Sequence, residues 1–332
     1  MSSGRVVVVT GATSGVGRAV ARRFAARGDA VALLGRGRDG LEGARTDVER
    51  EGGRALVLPT DVAVADQVES AAQAAEEALG PIDVWVNNAM TTVFGEFLDC
   101  SPDEFRRATE VTYLGAVWGS RAALQRMRER DRGVIVIVGS AMAYRGIPLQ
   151  SAYCGAKHAE KGFFESLRCE LRHDGSKVHL TMVQLPGLNT PQFEHGETKV
   201  RDHPQPVPPV YQPEVAAKAV EWAAEHRRRE IYVGLPTVYT ILGNKIAPWL
   251  AERYLAKTAV DSQQIKGEPV GDRPSNLFAP VEGDPGAHGR FDDEAHARSP
   301  QLFLSQNRAA IAGALAAVGI GAAAAALTRR GG

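Results

Sequence analysis

Short apolar runs and helical periodicities alternate along the first 235 residues of the chain. The apolar runs are rich in β-branched residues and predict strands at 5–10, 30–34, 55–59, 84–87, 133–139, 178–185 and 231–234. The segments between them predict helices at 18–27, 41–51, 64–79, 102–130, 151–173 and 214–226. Strands that alternate with helices are typical of a parallel sheet covered on both faces. The pattern therefore predicts an α/β fold, a doubly wound parallel sheet, with a C-terminal extension.

The pattern changes after residue 235, and we divide the remainder of the chain into three parts. Apolar spacing over 236–265, with Ile241, Ile246 and Leu250, predicts a helical extension that packs on the core. Residues 266–300 are rich in Gly, Pro, Asp and Arg without periodicity, which predicts a linker or an extended arm. Residues 301–332 are Ala-rich and predict a terminal helix.

The stretch 309–327 contains no charged residue, with Arg308 before it and Arg329 and Arg330 after it. As a helix it would span about 28 Å, close to the ~30 Å hydrocarbon core of a bilayer. Most of its residues are Ala or Gly, which contribute little to membrane insertion. We predict membrane association through 309–327, and an Ala-rich soluble helix or a disordered tail is the alternative.

A glycine-rich turn, T-G-A-T-S-G-V-G, follows the first strand at Thr10–Gly17 and precedes the first helix. Glycines allow backbone to approach a pyrophosphate, and a helix N-terminus offers free N–H groups to it. The sequence therefore predicts a dinucleotide site, with a plain tight turn as the alternative. The predicted contact residues of this turn are Gly11, Thr13, Ser14, Gly15, Val16 and Gly17.

The residues after the second strand address the choice between NAD and NADP. An acidic residue near this point binds the ribose 2′-hydroxyl of NAD, whereas a nearby arginine accommodates the 2′-phosphate of NADP. Arg36 and Arg38 come first here and Asp39 lies further on. We therefore expect NADP rather than NAD, with Arg36 as the contact, unless these arginines belong to a solvated loop.

Ser140, Tyr153 and Lys157 form the candidate catalytic set. Ser140 ends an apolar strand, and Lys157 follows Tyr153 by four residues, so both lie on one face of a helix. A neighbouring ammonium favours the phenolate and lowers the pKa of a tyrosine from its usual value near 10. A phenol tuned in this way exchanges a proton with a carbonyl or alcohol oxygen, to which Ser140 can hydrogen-bond.

Composition excludes several classes of function. The chain has 39 Lys and Arg residues and 39 Asp and Glu residues, so its formal net charge is zero. Proteins that bind nucleic acid carry a basic face, and the composition gives no indication of such a partner. Three cysteines without a C-x-x-C spacing predict a reducing compartment, and we expect a cytoplasmic protein. The short apolar run at 6–9 does not resemble a secretory signal. His288 and His296 flank Asp292 and Asp293, but the spacing is not that of a metal site, and we predict none.

Over roughly residues 5–235, the chain resembles the short-chain dehydrogenase/reductase family. The resemblance rests on the glycine-rich turn, Asp61-Val62, N-N-A at 87–89, Ser140 and Y-x-x-x-K at 153–157. It implies a Rossmann-type, NAD(P)-binding domain over 1–235 that interconverts a carbonyl and an alcohol, with Tyr153 as proton donor or acceptor. It also implies that Lys157 holds the nicotinamide ribose and that Ser140 polarises the substrate oxygen. Further implied cofactor contacts are Asp61 and Val62 at the adenine, Asn88 and Ala89 at the adenosine ribose, and Pro186, Gly187 and Thr190 near the nicotinamide.

The chain departs from the family pattern at three positions. Met90 stands where N-N-A-G has its last glycine, and Thr112 stands where the family has an asparagine that holds a water for proton relay. The segment after Pro186-Gly187 reaches its threonine one residue early, at Thr190. A threonine hydroxyl has a shorter reach than an asparagine amide, and the early position of Thr190 predicts a loop of different shape from that of the family.

Three functions compete. The leading hypothesis is an NADP-dependent oxidoreductase of an apolar carbonyl or alcohol, on the cytoplasmic side of a membrane and assembled as a homodimer or homotetramer. The alternative is a catalytically silent NAD(P)-binding scaffold or sensor tethered at a membrane, which Met90 and Thr112 motivate. A sugar-nucleotide epimerase or dehydratase is disfavoured because the glycines fall at 11, 15 and 17 rather than in G-x-x-G-x-x-G.

Overall fold

The computed structural model describes residues 4–308 and residue 310. Its strands are β1 (Val6–Thr10), β2 (Ala30–Gly35), β3 (Arg54–Pro59), β4 (Ile82–Asn87), β5 (Val93–Phe94), β6 (Val134–Ser140), β7 (His179–Leu185), β8 (Glu197–Thr198), β9 (Asp202–Pro204), β10 (Glu230–Tyr232) and β11 (Gln264–Pro269). Its α-helices are α1 (Gly15–Ala25), α2 (Arg38–Arg50), α3 (Ala65–Leu79), α4 (Pro102–Thr109), α5 (Gly115–Arg130), α6 (Ser151–His173), α7 (Gln192–His195), α8 (Pro213–Glu225), α9 (Gly234–Ile246), α10 (Pro248–Ser262) and α11 (Pro300–Gln306).

Seven parallel strands form the central sheet in the order β10-β7-β6-β4-β1-β2-β3. The chain runs outward from β1 in one direction, returns, and builds the other half from β4, so a switch point lies between β1 and β4. Ligands of such sheets bind at this point, beyond the carboxyl ends of the strands. The predicted doubly wound α/β fold is confirmed.

The valines of β1 show why a continuous apolar run becomes the centre of the sheet. Val7 and Val9 face one side of the sheet and join the core packed by α1, α2 and α8. Val6 and Val8 face the other side and join the core that contains Val68, Trp85 and Phe164. Because both faces are covered, no position of β1 has to be polar.

The predicted helix over 102–130 is interrupted. Ser101 caps α4 through a capping box with Glu104, and Pro102 occupies the first turn, as the sequence indicates. The segment Glu110–Leu114 then forms a π-helical turn before α5 begins at Gly115. Such bulges are rare and frequently lie at functional sites. This one contains Thr112.

The helical extension predicted over 236–265 consists of two helices and is only partly packed on the core. The chain forms two helices, α9 and α10, which Pro248 separates by starting a new first turn. Ile241 is buried as expected, but Leu242, Ile246 and Leu250 are exposed rather than packed on the core. The last strand is also shorter than expected, because Gly234 adopts φ +78° and begins α9.

Residues 270–299, which we call the arm, cross the protein as irregular backbone after β11 pairs antiparallel with β9. The amide of Asn276 donates to the carbonyl of His195 at 2.8 Å, and that of His296 donates to Val210 at 2.9 Å. The amide of Phe291 donates to the Asn189 side chain at 3.0 Å. The arm is therefore held against the loops that follow β7.

Candidate active site

One large cavity of about 710 Å³ lies beyond the carboxyl ends of the central strands. It is lined by all of the predicted site residues except Gly17. The predicted catalytic set lies there with the glycine-rich turn because β1, β4, β6 and β7 all end at the same edge of the sheet.

The glycine-rich turn is held against the end of β4 by Thr10 and Asn88. The Thr10 hydroxyl accepts hydrogen bonds from the amides of Asn88 at 2.9 Å and Ala89 at 3.0 Å. The Asn88 side chain donates to the carbonyls of Thr10 at 3.0 Å and Gly11 at 3.3 Å. Asn88 therefore shapes the turn through its amide group in addition to lining the cavity.

Gly17 does not line the cavity, and packing explains its glycine instead. A Cβ atom at this position would lie 2.1 Å from the carbonyl oxygen of Gly11 and 2.6 Å from the Asn88 amide nitrogen. Gly11 and Gly15 have φ of +67° and +54°, a region that glycine adopts without strain. The three glycines therefore serve the geometry of the turn in two different ways.

The residues present fit a nicotinamide dinucleotide. Gly11 packs so closely against Ala89 that a Cβ atom would come within 2.8 Å of the Ala89 Cα. Gly11, Thr13 and Ser14 of the turn line the cavity, so a ligand can reach them. Helix α1 has no acidic residue in its first turn, so its N-terminus can face an anion. Thr190 packs beside Gly15 of the turn, and Pro186 and Gly187 line the same cavity.

Tyr153 and Lys157 lie one turn apart on α6, opposite Ser140 at the end of β6. Tyr153 is half-buried, whereas Lys157 is almost fully buried. The Lys157 ammonium lies 5.8 Å from the centroid of the Tyr153 ring. Ser140 hydrogen-bonds with Tyr153, and its Oγ also accepts from the Met142 amide at 3.1 Å. The predicted Ser-Tyr-Lys set is thus brought together in space.

The pKa of Tyr153 is raised, contrary to the expectation from its lysine neighbour. Burial is the largest influence and raises the pKa, while the charge of Lys157 and the hydrogen bond with Ser140 lower it. The carboxylate of Glu160 raises it again. The effect of Lys157 therefore has the predicted sign but is outweighed.

Glu160 is the residue that the sequence analysis missed within the catalytic helix. Its two carboxylate oxygens accept hydrogen bonds from Lys157 Nζ at 3.0 and 2.9 Å, and the third ammonium proton goes to the carbonyl of Val138 at 2.9 Å. Burial raises the pKa of Glu160 to about 7, and Lys157 acts in the opposite direction. An acidic residue three positions after the lysine, on the same helix face, was the available signal.

Thr112 does not point its hydroxyl at Lys157. It is fully buried, donates to the carbonyl of Thr91 at 3.0 Å and accepts from the Thr91 amide at 3.1 Å. Both hydrogen-bonding roles of this hydroxyl are therefore used to tie the π-helical turn to the segment after β4.

The arm covers the end of the cavity where the adenosine half of a cofactor is expected. Arg36 donates to the carbonyls of Asn276, Leu277 at 3.3 Å and Phe278 at 3.0 Å. Arg107 donates to the Leu277 carbonyl at 3.1 Å and forms an ion pair with Asp61 at 2.6 Å. Burial and the nearby charge of Arg107 lower the pKa of Arg36.

The arm also reaches the glycine-rich turn. The amide of Gly15 donates to the carbonyl of Gly286 at 3.0 Å, and Asp284 pairs with Arg18 of α1 at 2.7 Å. Pro280, Val281 and Pro285 complete the cavity wall beside this turn. No sequence pattern indicated these contacts, because most of them are made by backbone carbonyls.

The opposite end of the cavity has apolar walls interrupted by polar side chains. Its walls there come from the segment after β6, the loops after β7 and the two C-terminal helices. The apolar contributors include Met142, Ile147, Leu188, Val207, Tyr239 and Leu255, and the polar ones include Arg145, Gln150, Gln205, Thr237, Thr240 and Thr258. Among residues 4–308, no group of three or more His, Cys, Asp or Glu side chains could hold a metal ion.

Fold and site together define a nicotinamide-nucleotide oxidoreductase, and comparison with known proteins specifies its family. The family model described as short chain dehydrogenase matches residues 5–200. The Bacillus subtilis (strain 168) protein named uncharacterized oxidoreductase YxnA is 31% identical over 327 residues, which cover 97% of this chain and 90% of that protein. The chain therefore belongs to the short-chain dehydrogenase/reductase family and is an NAD(P)-dependent oxidoreductase.

A second relative and two solved structures extend this result. The Danio rerio 3-dehydrosphinganine reductase is 36% identical over 203 residues, which cover 59% of this chain and 60% of that protein. An alcohol dehydrogenase of Thermococcus sibiricus, complexed with 5-hydroxy-NADP, aligns with a TM-score of 0.60 and 26% identity over 69% of this chain and 95% of its own. A Burkholderia phymatum member with NAD shares the fold, with a TM-score of 0.68 and 22% identity over 75% of this chain and 95% of its own.

Proposed function

We propose that this protein is an NADP-dependent oxidoreductase that interconverts a carbonyl and an alcohol on an apolar substrate. The observation that carries the proposal is a single cavity that joins the glycine-rich turn, the Ser-Tyr-Lys set and an apolar end. A polar reacting group that meets Ser140 and Tyr153 would place its apolar remainder against the walls near Met142 and Leu188.

In the reductive direction, Tyr153 donates the proton of its hydroxyl to the carbonyl oxygen as hydride arrives at the carbonyl carbon. A bound reduced nicotinamide would supply that hydride, and its oxidised form would accept a hydride in the reverse reaction. Ser140 hydrogen-bonds to the same oxygen and orients it toward Tyr153. Lys157, held by Val138 and Glu160, keeps a positive charge beside the phenol as the tyrosine loses its proton.

The names of the relatives support a keto substrate. Two of them, from Bos taurus and Mus musculus, are named 3-ketodihydrosphingosine reductase and are 34% and 35% identical over 202 residues. We therefore expect reduction of a ketone attached to a long apolar chain. Turnover of a panel of such ketones with NADPH tests this substrate class directly.

Tyr153→Phe tests the acid/base role. It removes the transferable proton and keeps the ring, so we expect turnover to fall by at least about a hundredfold while cofactor binding survives. Tyr232→Phe is the matched control, since Tyr232 lies outside the cavity and hydrogen-bonds to Glu230. Unchanged turnover in Tyr153→Phe would refute the mechanism.

Arg36→Ala tests the cofactor preference. Calorimetry should show NADPH binding more tightly than NADH in the wild type, and the variant should lose about tenfold or more for NADPH alone. Arg38→Ala removes the same charge from an exposed position at the start of α2, two residues further on, and serves as control. Equal losses for both cofactors would mean that Arg36 serves the arm and does not read the 2′-phosphate.

The alternative function, a catalytically silent NAD(P)-binding scaffold, predicts that the protein binds the cofactor but turns over no member of the ketone panel. The occupation of Arg36 and the Gly15 amide by the arm is the observation in its favour. Turnover of any panel member that depends on Tyr153 would dismiss it.

Assembly and location remain proposals. We propose a homodimer or homotetramer on the cytoplasmic side of a membrane, and sedimentation velocity measures the first of these properties. The segment 309–327, on which the membrane prediction rests, lies outside the described residues apart from Ala310. Among the helices that the structure describes, none has the length and apolar character needed to cross a bilayer.

A further inference from the structure

The helices α9 and α10 carry an apolar stripe that faces away from the protein. On α9 the exposed apolar residues fall at positions 235, 239, 242 and 246, which is the spacing of one helix face. A helix on a globular protein normally turns such a face inward. The α9–α10 surface, as we call it, consists of Leu235, Tyr239, Leu242, Ile246, Trp249, Leu250 and Tyr254.

The mouth of the active-site cavity opens within this surface. Tyr239 and Tyr254 are both exposed and both line the cavity, together with Thr240, Leu255 and Thr258 from the same two helices. A molecule that enters the apolar end of the cavity therefore passes between side chains of the α9–α10 surface.

The chemistry of this surface matches a lipid bilayer. Trp249 and the two tyrosines combine an apolar body with a polar atom, which suits the region between lipid headgroups and acyl chains. Lys245, Arg253 and Lys257 are exposed on the same helices and can pair with anionic headgroups. Two acidic residues lie on the same helices: Asp261 is paired with Lys266 at 2.7 Å, and Glu252 is exposed, so the three basic residues still outnumber the carboxylates.

The sequence that follows α11 supports the same partner. Helix α11 packs against α9 and exposes Phe303 and Leu304. The uncharged sequence 309–327 begins three residues after α11 ends. The apolar tail thus leaves the described structure beside the α9–α10 surface.

We propose that the α9–α10 surface docks on a lipid bilayer and that the cavity mouth faces the acyl chains. An apolar substrate then moves from the bilayer into the cavity without crossing water. Docking is independent of catalysis, whereas this route for the substrate rests on the proposed function.

Fluorescence of Trp249 tests the docking in the full chain. Vesicles of phosphatidylcholine and phosphatidylglycerol with brominated acyl chains should quench the wild type more strongly than Trp249→Phe. The other tryptophans should be quenched less by the brominated chains, because Trp85 is fully buried and Trp118 and Trp222 are partly buried. Their remaining quenching is measured in Trp249→Phe. If vesicle-bound protein keeps an unquenched Trp249, it is bound through another segment and the proposal is overturned.

Co-sedimentation with the same vesicles gives a second readout. Ile246→Glu should weaken binding about tenfold, since it places a charge where an apolar side chain enters the lipid. Leu98→Glu is the control, because Leu98 is 91% exposed on the turn Phe97–Asp99 outside the surface. Equal binding of the two variants to the vesicles would overturn the proposal. A dimer that Ile246→Glu converts to monomers would also overturn it and would assign the surface to a second copy of the chain.

A second inference concerns the ion pair inside α6. The side chains of Lys157 and Glu160 are 3% and 2% exposed, so the pair is screened very little by solvent. Thr112 cannot contribute a relay to Lys157, because its hydroxyl is bound to Thr91. Glu160 is thus the acidic group in direct contact with the lysine of the catalytic set.

We propose that Glu160 is a positioning residue that fixes the Lys157 ammonium and offsets its charge beside Tyr153. With the carboxylate present, the tyrosine keeps its proton more readily, which is the form that reduction of a carbonyl requires. Lys157 is the charged group that influences the pKa of Glu160. The titratable groups that influence the pKa of Tyr153 are Lys157, Glu160 and Cys154. This inference rests on the proposed function.

Glu160→Gln keeps the shape of the side chain and removes its charge. The phenolate of Tyr153, measured by ultraviolet difference titration against Tyr153→Phe, should then form at a pH lower by about one unit. The pH profile of kcat/KM should move in the same direction. Glu165→Gln is the control, because this half-exposed residue of α6 pairs with Lys161 and Arg229 instead.

Glu160→Asp is a second variant that keeps the test informative if Glu160→Gln does not fold. It retains the charge at shorter reach, so its phenolate titration should fall between those of the wild type and Glu160→Gln. An unmoved titration in both folded variants would overturn the role of Glu160. Because the titration needs no turnover, it can succeed or fail separately from the proposed reaction.

Discussion

The core region, residues 5–233, and the C-terminal region, residues 234–306, enclose the same cavity by different physical means. In the core region, apolar side chains point inward and strand ends bring polar motif residues to one edge. In the C-terminal region, helices expose apolar side chains and the arm makes many contacts through backbone carbonyls. We infer that the core region contributes most of the stability and that the C-terminal region controls access to the cavity.

Trp85 and Trp249 give the largest expected contrast between the regions. Trp85 is fully buried and donates to the Asn87 side chain at 2.9 Å, so Trp85→Ala should lower the free energy of unfolding by about 3–5 kcal/mol. Trp249 is 61% exposed, and Trp249→Ala should change it by about 0.5 kcal/mol or less. Urea unfolding followed by circular dichroism measures both. Comparable losses would erase the contrast.

Two glycines that approach backbone sharpen the comparison at intermediate size. Gly17→Ala would place Cβ 2.1 Å from the Gly11 carbonyl and should cost about 1–3 kcal/mol of stability together with cofactor binding. Gly289→Ala would place Cβ 2.6 Å from the Thr190 carbonyl and should loosen the arm without unfolding the sheet. Hydrogen exchange resolves the two outcomes.

The matched control for these glycines is Gly162→Ala. Gly162 lies inside α6 with open space around its Cβ position, so alanine should stabilise the helix by up to about 1 kcal/mol. Global unfolding in Gly289→Ala would show that the arm belongs to the cooperative core.

Two histidines predict opposite pH dependences in the two regions. Burial, assisted by Arg168 and Arg227, lowers the pKa of His179 to about 4, so its contribution to stability is lost as pH falls below 6.5. Burial also lowers the pKa of His288, but Glu214 and Asp292 more than offset this and raise it. The contribution of His288 is therefore present below pH 6.5 and lost as pH rises through its folded pKa.

Unfolding free energies between pH 4 and pH 7 for His179→Gln and His288→Gln check these signs. After allowance for solvent screening, His179→Gln should recover about 1–2 kcal/mol near pH 4, whereas His288→Gln should lose a smaller amount there. Parallel curves for both variants would contradict the assignment.

The reach of sequence reasoning follows the same division. The valines of β1 and the spacing of Tyr153 and Lys157 are local patterns, so the fold and the juxtaposition of the Ser-Tyr-Lys set could be predicted. Arg36 lines the cavity as expected, but its contacts with carbonyls 240 to 242 residues further along the chain could not be predicted. Backbone carbonyls are common to every residue type and therefore leave no signature in a sequence.

The sequence by itself determined the parallel sheet, the glycine-rich turn and the residues that meet at the strand ends, because these depend on local periodicity and spacing. Only the tertiary structure decided that Gly17 packs instead of lining the cavity, that Glu160 balances Lys157, and that the arm covers the adenosine end. These features depend on distances between distant segments and on burial, which sets the strength of charges. Local pattern contains neither quantity.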